Sequence, residues 1–347
     1  MSGRFAPSPT GTLHLGNLRT AVLAWLAARS TGRGFIIRME DLDRVQAAPE
    51  HEASQLADLA ALGLDHDGEV VRQSERFDLY EDALATLRSR DLVYECFCSR
   101  REVRAEIEGA PSAPHLPPGS YPGTCRSLTA ARRAEFEAAG RPPALRLRAA
   151  ESVGDHSSER TIPPIIEFDD AVAGRSSGGV DDVVLRRNDG VPAYNLAVVI
   201  DDALQGVTQV VRGDDLLDST PRQIHLQRLL DLPTPEYGHV PLVFGDDGER
   251  LSKRHGSVTL RELQERSVSA ADVLDLLIGS MGLDTDRAHS VARVQGEVDA
   301  PGGASRLLNG MISGFDLASI PRVDVVYSEP GAGDPSDTIM LAPRKAA

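Results

Sequence analysis

Gly3 to Asn17 reads G-R-F-A-P-S-P-T-G-T-L-H-L-G-N, and the forty residues it opens decide the fold. The apolar and charged start at Gly3-Arg4-Phe5 has the look of a short strand. From Asn17 to Thr31, Leu18, Val22, Leu23, Trp25, Leu26 and Arg29 recur near helical spacing, and Gly32 supplies the stop. Phe35-Ile36-Ile37-Arg38-Met39-Glu40 is an apolar run ending in charge, which predicts a buried parallel strand whose carboxyl end points into a site. Strand, glycine-containing turn, helix and strand make a βαβ unit, so the chain is expected to be α/β with a doubly wound parallel sheet.

Working outward, helical patterns recur at 50–62 and 77–90. Residues 95–144 break the rhythm. They hold all three Cys, several Pro and a charged helical piece over 128–139, and read as an insertion between two halves of the nucleotide fold. The second half resumes at Val183-Val184-Leu185-Arg186. Ser219 to Leu230 reads as a helix with Ser219 or Thr220 as cap and Pro221 at its first position. His239-Val240-Pro241-Leu242-Val243-Phe244 reads as one strand leading to the Asp246-Asp247-Gly248 turn. The basic stretch Arg250-Leu251-Ser252-Lys253-Arg254 follows, and 258–282 reads as two helices. The expected units are therefore 1–94, the first half of the catalytic fold; 95–144, the insertion; 145–257, the second half with the basic loop; 258–285, a helical stem; and 286–347, a Pro- and Gly-punctuated tail expected to be partly disordered.

Composition narrows the class. The chain has 347 residues, a hydrophobic content of 41% and a net charge of −15. No apolar run approaches the roughly 18–20 residues that span a bilayer. No signal-peptide pattern opens the chain, so a cytoplasmic monomer without a membrane partner is the expectation. An odd count of three Cys argues against a disulfide framework. The acidic balance argues against broad, sequence-independent RNA binding and leaves room for a local basic face.

Several segments carry a family resemblance. His14-Leu15-Gly16-Asn17 resembles the H-I-G-H signature of class I aminoacyl-tRNA synthetases, with Asn17 in place of the second His. Arg250-Leu251-Ser252-Lys253-Arg254 resembles their K-M-S-K-S loop, with Arg at both outer positions. Arg4-Phe5-Ala6-Pro7-Ser8-Pro9-Thr10-Gly11 resembles the opening of glutamyl-tRNA synthetases. Ile37 to Arg44, Tyr194 to Asp202 and Val211 to Asp215 follow in the family order. The resemblance covers about residues 3–283. The stretch after Arg254 is short for a helical anticodon-binding domain, and in this the chain resembles the truncated glutamyl-queuosine tRNA(Asp) synthetases.

That resemblance implies a reaction: ATP-dependent activation of L-glutamate without tRNA, then transfer to queuosine in the anticodon loop of tRNA(Asp). Glutamate has two carboxylates and one ammonium, so its pocket needs about two cationic groups and one anion, and Arg suits bidentate carboxylate geometry. By resemblance Arg4 meets the side-chain carboxylate, Arg212 the α-carboxylate and Glu40 the ammonium, with Ser8, Tyr194 and the Ala6 backbone completing the pocket. The duller reading has Arg4 and Glu40 merely pairing at strand ends. His14, Gly16, Asn17, Arg250, Leu251, Ser252 and Lys253 are the expected ATP contacts. His14 and Lys253 are the expected catalytic pair, stabilising charge on either side of the α-phosphorus. Mg²⁺ is expected with ATP.

Cys96-Phe97-Cys98 and Cys125 form a C-x-C pair plus a third Cys, a plausible zinc knot holding one structural Zn²⁺. Read from the residues, His115 is the fourth ligand; the family resemblance favours Tyr121. Three other functions stay open: a short glutamyl-tRNA synthetase charging tRNA(Glu), a non-catalytic paralogue that binds glutamate or ATP, and a free-standing ligase that attaches glutamate to a small amine.

Overall fold

A computed structural model describes residues 1–109, 120–149, 151–153, 160–251, 258–283, 303–328 and 340–343. The first half runs β1 (Ser2–Phe5), α1 (Leu15–Ser30), β2 (Gly34–Met39), α2 (Pro49–Ala61), β3 (Val71–Arg72), α3 (Phe77–Ser89) and β4 (Val93–Cys96). Then come α4 (Arg100–Gly109), α5 (Ala130–Ala138), β5 (Ala144–Leu147), β6 (Glu151–Val153), β7 (Arg160–Ile162), β8 (Ile165–Asp170), β9 (Gly174–Gly179) and β10 (Val184–Arg186). The rest is α6 (Tyr194–Leu204), β11 (Val207–Gly213), α7 (Thr220–Leu229), β12 (Glu236–Val240), β13 (Val243–Phe244), α8 (Leu260–Glu265), α9 (Ala270–Ser280), α10 (Gly303–Ile312), β14 (Val325–Ser328) and β15 (Met340–Pro343).

The main sheet has seven strands in the order β3-β2-β1-β11-β12-β8-β9. Every pairing is parallel except the antiparallel edge pair β8–β9. The carboxyl ends of β1, β2 and β11 therefore open on one edge, where ligands bind in sheets of this kind. Helix α1 packs on this sheet and is buried nearly all round, which its Leu- and Ala-rich sequence permits. Its Arg19 is buried as well, donating to the Pro241 carbonyl at 2.8 Å and to Ser280 Oγ at 3.2 Å. Burial lowers that guanidinium to about 10.

Four sequence expectations change. The first concerns the tail over 286–347, because 303–328 belongs to the main core: Leu307, Leu308, Met311, Ile320, Val325 and Tyr327 are buried with α1 and α9. Helix α10 comes so close to the turn after α2 that a Cβ on Gly63 would lie 2.5 Å from Ser305 Oγ, and Gly63 also needs its positive φ of 76°. Strand β14 pairs in parallel with β13, at the root of the basic loop. Weak periodicity hid this segment because its order comes from packing on distant elements.

Second, 239–244 is two strands in two sheets, since Pro241 cannot continue the ladder. Third, β10 does not resume the main sheet; it joins β5 and β4 in a separate three-stranded sheet, so the expected limits of the insertion at 95 and 144 fall inside paired strands. Fourth, Ser219 stands at the N-cap position of α7 as expected but makes no side-chain capping bond, because a 3₁₀ turn at Asp214–Ser219 feeds straight into the helix. Thr220 is buried in polar contacts instead. The other helices over 258–282 lie where periodicity places them.

Candidate active site and metal centre

A cavity of about 700 Å³ sits at the carboxyl ends of β1, β2 and β11. Arg4, Ala6, Ser8, His14, Gly16, Asn17, Glu40, Tyr194, Arg212, Arg250 and Leu251 all line it. Ser252 and Lys253, with Arg254, lie outside the described residues.

One wall is built from buried charge. Arg4, next to last in β1, is 4% exposed, its Nε 3.5 Å from Asp202 Oδ1. Arg38, fully buried on β2, donates to Asp202 Oδ1 at 2.8 Å and to Glu40 Oε1 at 3.4 Å. Burial would raise the Asp202 carboxyl, but Arg38 and Arg4 outweigh it and hold Asp202 below its ordinary value. Glu40 goes the other way: burial lifts its carboxyl above the ordinary range despite Arg38 and Arg4. The side-chain contacts thus pair Arg4 with Asp202 and Glu40 with Arg38, in place of the Arg4–Glu40 pair of the duller reading. The neighbouring Asp201 is equally buried, bound by Gln73, Arg76 and Tyr80.

On the opposite side Arg212, 4% exposed, donates to Tyr194 Oη, Thr220 Oγ1 and His239 Nε2. Arg38, Asp202, Thr220, His239 and Asp170 were given no site role from the sequence, although Arg38 and Asp202 lie in the family segments and Thr220 was a candidate helix cap. A signal existed for Asp201 and Asp202, two acids closing an apolar helical run. None marked Asp170 or Thr220 as part of the site.

The third wall is the N-terminus of α1. His14 is its cap: Nδ1 accepts the Gly16 N–H at 3.1 Å, while Asn17 Oδ1 accepts the His14 N–H at 3.2 Å. Accepting at Nδ1 leaves the ring proton on Nε2. A Cβ on Gly16 would lie 3.0 Å from the His14 ring, so Gly16 makes room for that imidazole as well as for any ligand. Asn17 completes the cap, a task that needs an acceptor and no charge. Arg250 pairs with Asp215 at 3.1 Å, tying the start of the basic loop to the loop after β11.

The second centre lies in the insertion. The sulfurs of Cys96, Cys98 and Cys125 lie within 4.8 Å of one another, close enough to hold one metal ion. The Tyr121 hydroxyl is 3.4 Å from Cys96 Sγ and 3.6 Å from Cys98 Sγ, and accepts the Cys125 N–H at 2.9 Å. The Arg146 guanidinium stacks 3.6 Å from the Tyr121 ring centre. His115 lies outside the described residues. Asp181 and Asp182 tie this centre to the body: Asp181 accepts the Tyr121 N–H and Arg222 Nε of α7, and Asp182 accepts Arg126 and Tyr94 Oη. Among the described residues no helix is long and apolar enough to cross a membrane.

The ionisation of Glu40 gives a test. If it meets an ammonium, only its carboxylate form binds, and its raised proton affinity moves the acid limb upward. We expect kcat/KM for glutamate in pyrophosphate exchange to fall as pH drops, with a midpoint above 4.5, the ordinary Glu value. E40Q should remove that limb, and a wild-type limb at or below the ordinary value would reject the role.

Comparison with known proteins agrees with this architecture. Residues 1–296 match the family described as tRNA synthetases class I (E and Q), catalytic domain. The glutamyl-Q tRNA(Asp) synthetase of Nocardia farcinica is 52% identical over 97% of this chain and 96% of its own length. The glutamate–tRNA ligase of Oleidesulfovibrio alaskensis is 44% identical over 79% of this chain, but only 56% of its own length is matched. A crystal structure of a glutamate tRNA ligase from Elizabethkingia meningosepticum, in complex with its amino acid, superposes with a TM-score of 0.71 at 26% identity, covering 94% of this chain and 67% of that one. The chain belongs to the class I tRNA synthetases of the E and Q family, among the glutamyl-Q tRNA(Asp) synthetases.

Proposed function

We propose that the protein activates L-glutamate with ATP and transfers it to the queuosine base of tRNA(Asp). The observation that carries this reading is the cavity wall: two buried arginines and one half-buried carboxylate, Glu40, matched to an amino acid with two carboxylates and one ammonium. Arg212 takes the α-carboxylate, Arg4 the side-chain carboxylate and Glu40 the ammonium. Ser8, Tyr194 and the Ala6 backbone close around the ligand.

The α-carboxylate oxygen attacks the α-phosphorus of ATP. A new oxygen–phosphorus bond forms, the bond to the β-phosphate oxygen breaks, and pyrophosphate leaves with the electron pair. His14 donates from Nε2 toward the α-phosphate, and Lys253 neutralises the leaving pyrophosphate. Mg²⁺ carried with ATP supplies further charge neutralisation. A queuosine hydroxyl then attacks the glutamyl carbonyl, its proton is lost and AMP departs. Cys96, Cys98, Cys125 and Tyr121 hold one structural Zn²⁺, which three thiolates favour. Free tRNA and three unpaired thiols suit a cytoplasmic setting.

The near end-to-end match to a glutamyl-Q relative, against 56% of a glutamate–tRNA ligase, favours this acceptor over the 3′ end of tRNA(Glu). Labelled glutamate should be transferred, with ATP, to tRNA from queuosine-containing cells and not to tRNA from queuosine-lacking cells. Equal labelling of both would point to tRNA(Glu) charging.

A further inference from the structure

Arg212 is held from behind by a row of residues on three strands. It sits directly across from His239 in the β11–β12 register. Its Nε–H points at His239 Nε2 at 3.0 Å. A guanidinium N–H can only donate, so this imidazole nitrogen carries no proton. The ring proton is on Nδ1, which faces Asp170 Oδ2 at 2.6 Å. Asp170 is fixed in turn: its Oδ1 accepts the N–H groups of Val172 at 2.9 Å and Ala173 at 2.7 Å. Asp170, His239 and Thr220 are all buried, at 5%, 1% and 0% exposure. Thr220 Oγ1 accepts from the Arg212 guanidinium at 2.9 Å.

This arrangement contrasts with Arg4, which faces a carboxylate directly. A carboxylate against Arg212 would offset part of its charge, whereas the Asp202 beside Arg4 is shared with Arg38 at 2.8 Å. A neutral imidazole fixes the guanidinium as firmly and leaves its charge unspent. We propose that Asp170 and His239 are positioning residues: the Asp170 carboxylate locks the His239 tautomer, and the locked Nε2 acceptor aims Arg212 at a substrate carboxylate. The proposal rests on the reading that Arg212 binds glutamate.

In D170N the Asn can keep Oδ1 on the turn while its amide nitrogen faces Nδ1. The imidazole must then accept at Nδ1 and carry its proton on Nε2, where it opposes the Arg212 N–H and turns the Thr220 hydroxyl, 3.0 Å away, into its acceptor. The expected result is a glutamate KM raised about 10- to 100-fold, with the ATP KM nearly unchanged. The ¹⁵N spectrum of labelled histidine should show Nδ1 protonated in the wild type and Nε2 protonated in D170N. H239Q retains an acceptor for Arg212 and should stay near wild type, whereas H239L should resemble D170N. Wild-type protonation on Nε2 overturns the lock. So does an unchanged glutamate KM in D170N when R212A raises it. If D170N does not fold, equal glutamate KM values for H239Q and H239L overturn it. If R212A leaves the glutamate KM unchanged, the substrate assignment fails, and the wild-type and D170N spectra alone decide the tautomer lock.

Discussion

Arg4→Ala should cost glutamate-dependent pyrophosphate exchange on the order of 10²–10³-fold in kcat/KM, because one buried carboxylate then lacks its partner at about 2–5 kcal/mol. Arg4 is 4% exposed, so water cannot easily replace it. The loss should be confined to glutamate: the ATP KM should move little, since His14 and Arg250 lie on the other walls. Arg4→Lys should recover only part, because an ammonium keeps the charge and loses the planar fork. Thermal unfolding separates binding from folding, since Asp202 retains Arg38 at 2.8 Å when Arg4 is gone. A near-native glutamate KM in a folded Arg4→Ala variant would remove Arg4 from the proposed pocket.

Cys98→Ser, or exhaustive chelation, should take bound zinc from about one per chain to about none and loosen the insertion before the rest of the molecule. Among the described residues the insertion buries only a small cluster of its own. That cluster is Tyr94, Cys96, Tyr121 and Cys125, with Cys98 and Val103 packed beside them. Transfer to tRNA should fall by more than about tenfold, as expected when a metal-organised segment unfolds. Glutamate activation should survive in part, because the cavity is lined by β1, β2 and β11 and no described residue of 95–144 reaches it. It should not survive whole: Asp181 bonds both Tyr121 and Arg222, and Arg222 lies on α7, whose first residue Thr220 touches Arg212. Metal analysis with hydrogen exchange over 95–144 checks the order of events. Simultaneous collapse of exchange protection throughout the sheet would show that the metal supports the whole fold. Tyr121→Phe asks a narrower question, for it keeps the buried ring under Arg146 and removes the oxygen; a full metal complement in that variant would reject Tyr121 as fourth ligand.

The amino-acid sequence alone determined what depends on neighbours along the chain. The period of Leu18, Val22, Trp25 and Leu26 and the stop at Gly32 specified α1, and the apolar run before Glu40 specified β2, because helices and buried strands leave short-range patterns. The segments around Arg4, His14, Glu40, Tyr194 and Arg212 were legible as one constellation because their order and local context carry the family resemblance. The C-x-C pair with Cys125 likewise pointed to the three-sulfur cluster, which is close enough to hold a metal ion. Tertiary structure alone decided the rest. Asp170, Arg212 and His239 have no local pattern in common; they meet because β8, β11 and β12 lie side by side in one sheet. Arg4 and Asp202 are brought together from opposite halves of the fold. Gly303 to Ser328 has the composition of a tail and becomes core because α1, buried on its sheet side, still needs apolar cover on its outer side, and because β13 offers β14 an unpaired edge. Burial and pairing across long separations are properties of the folded chain, and no window of sequence contains both partners.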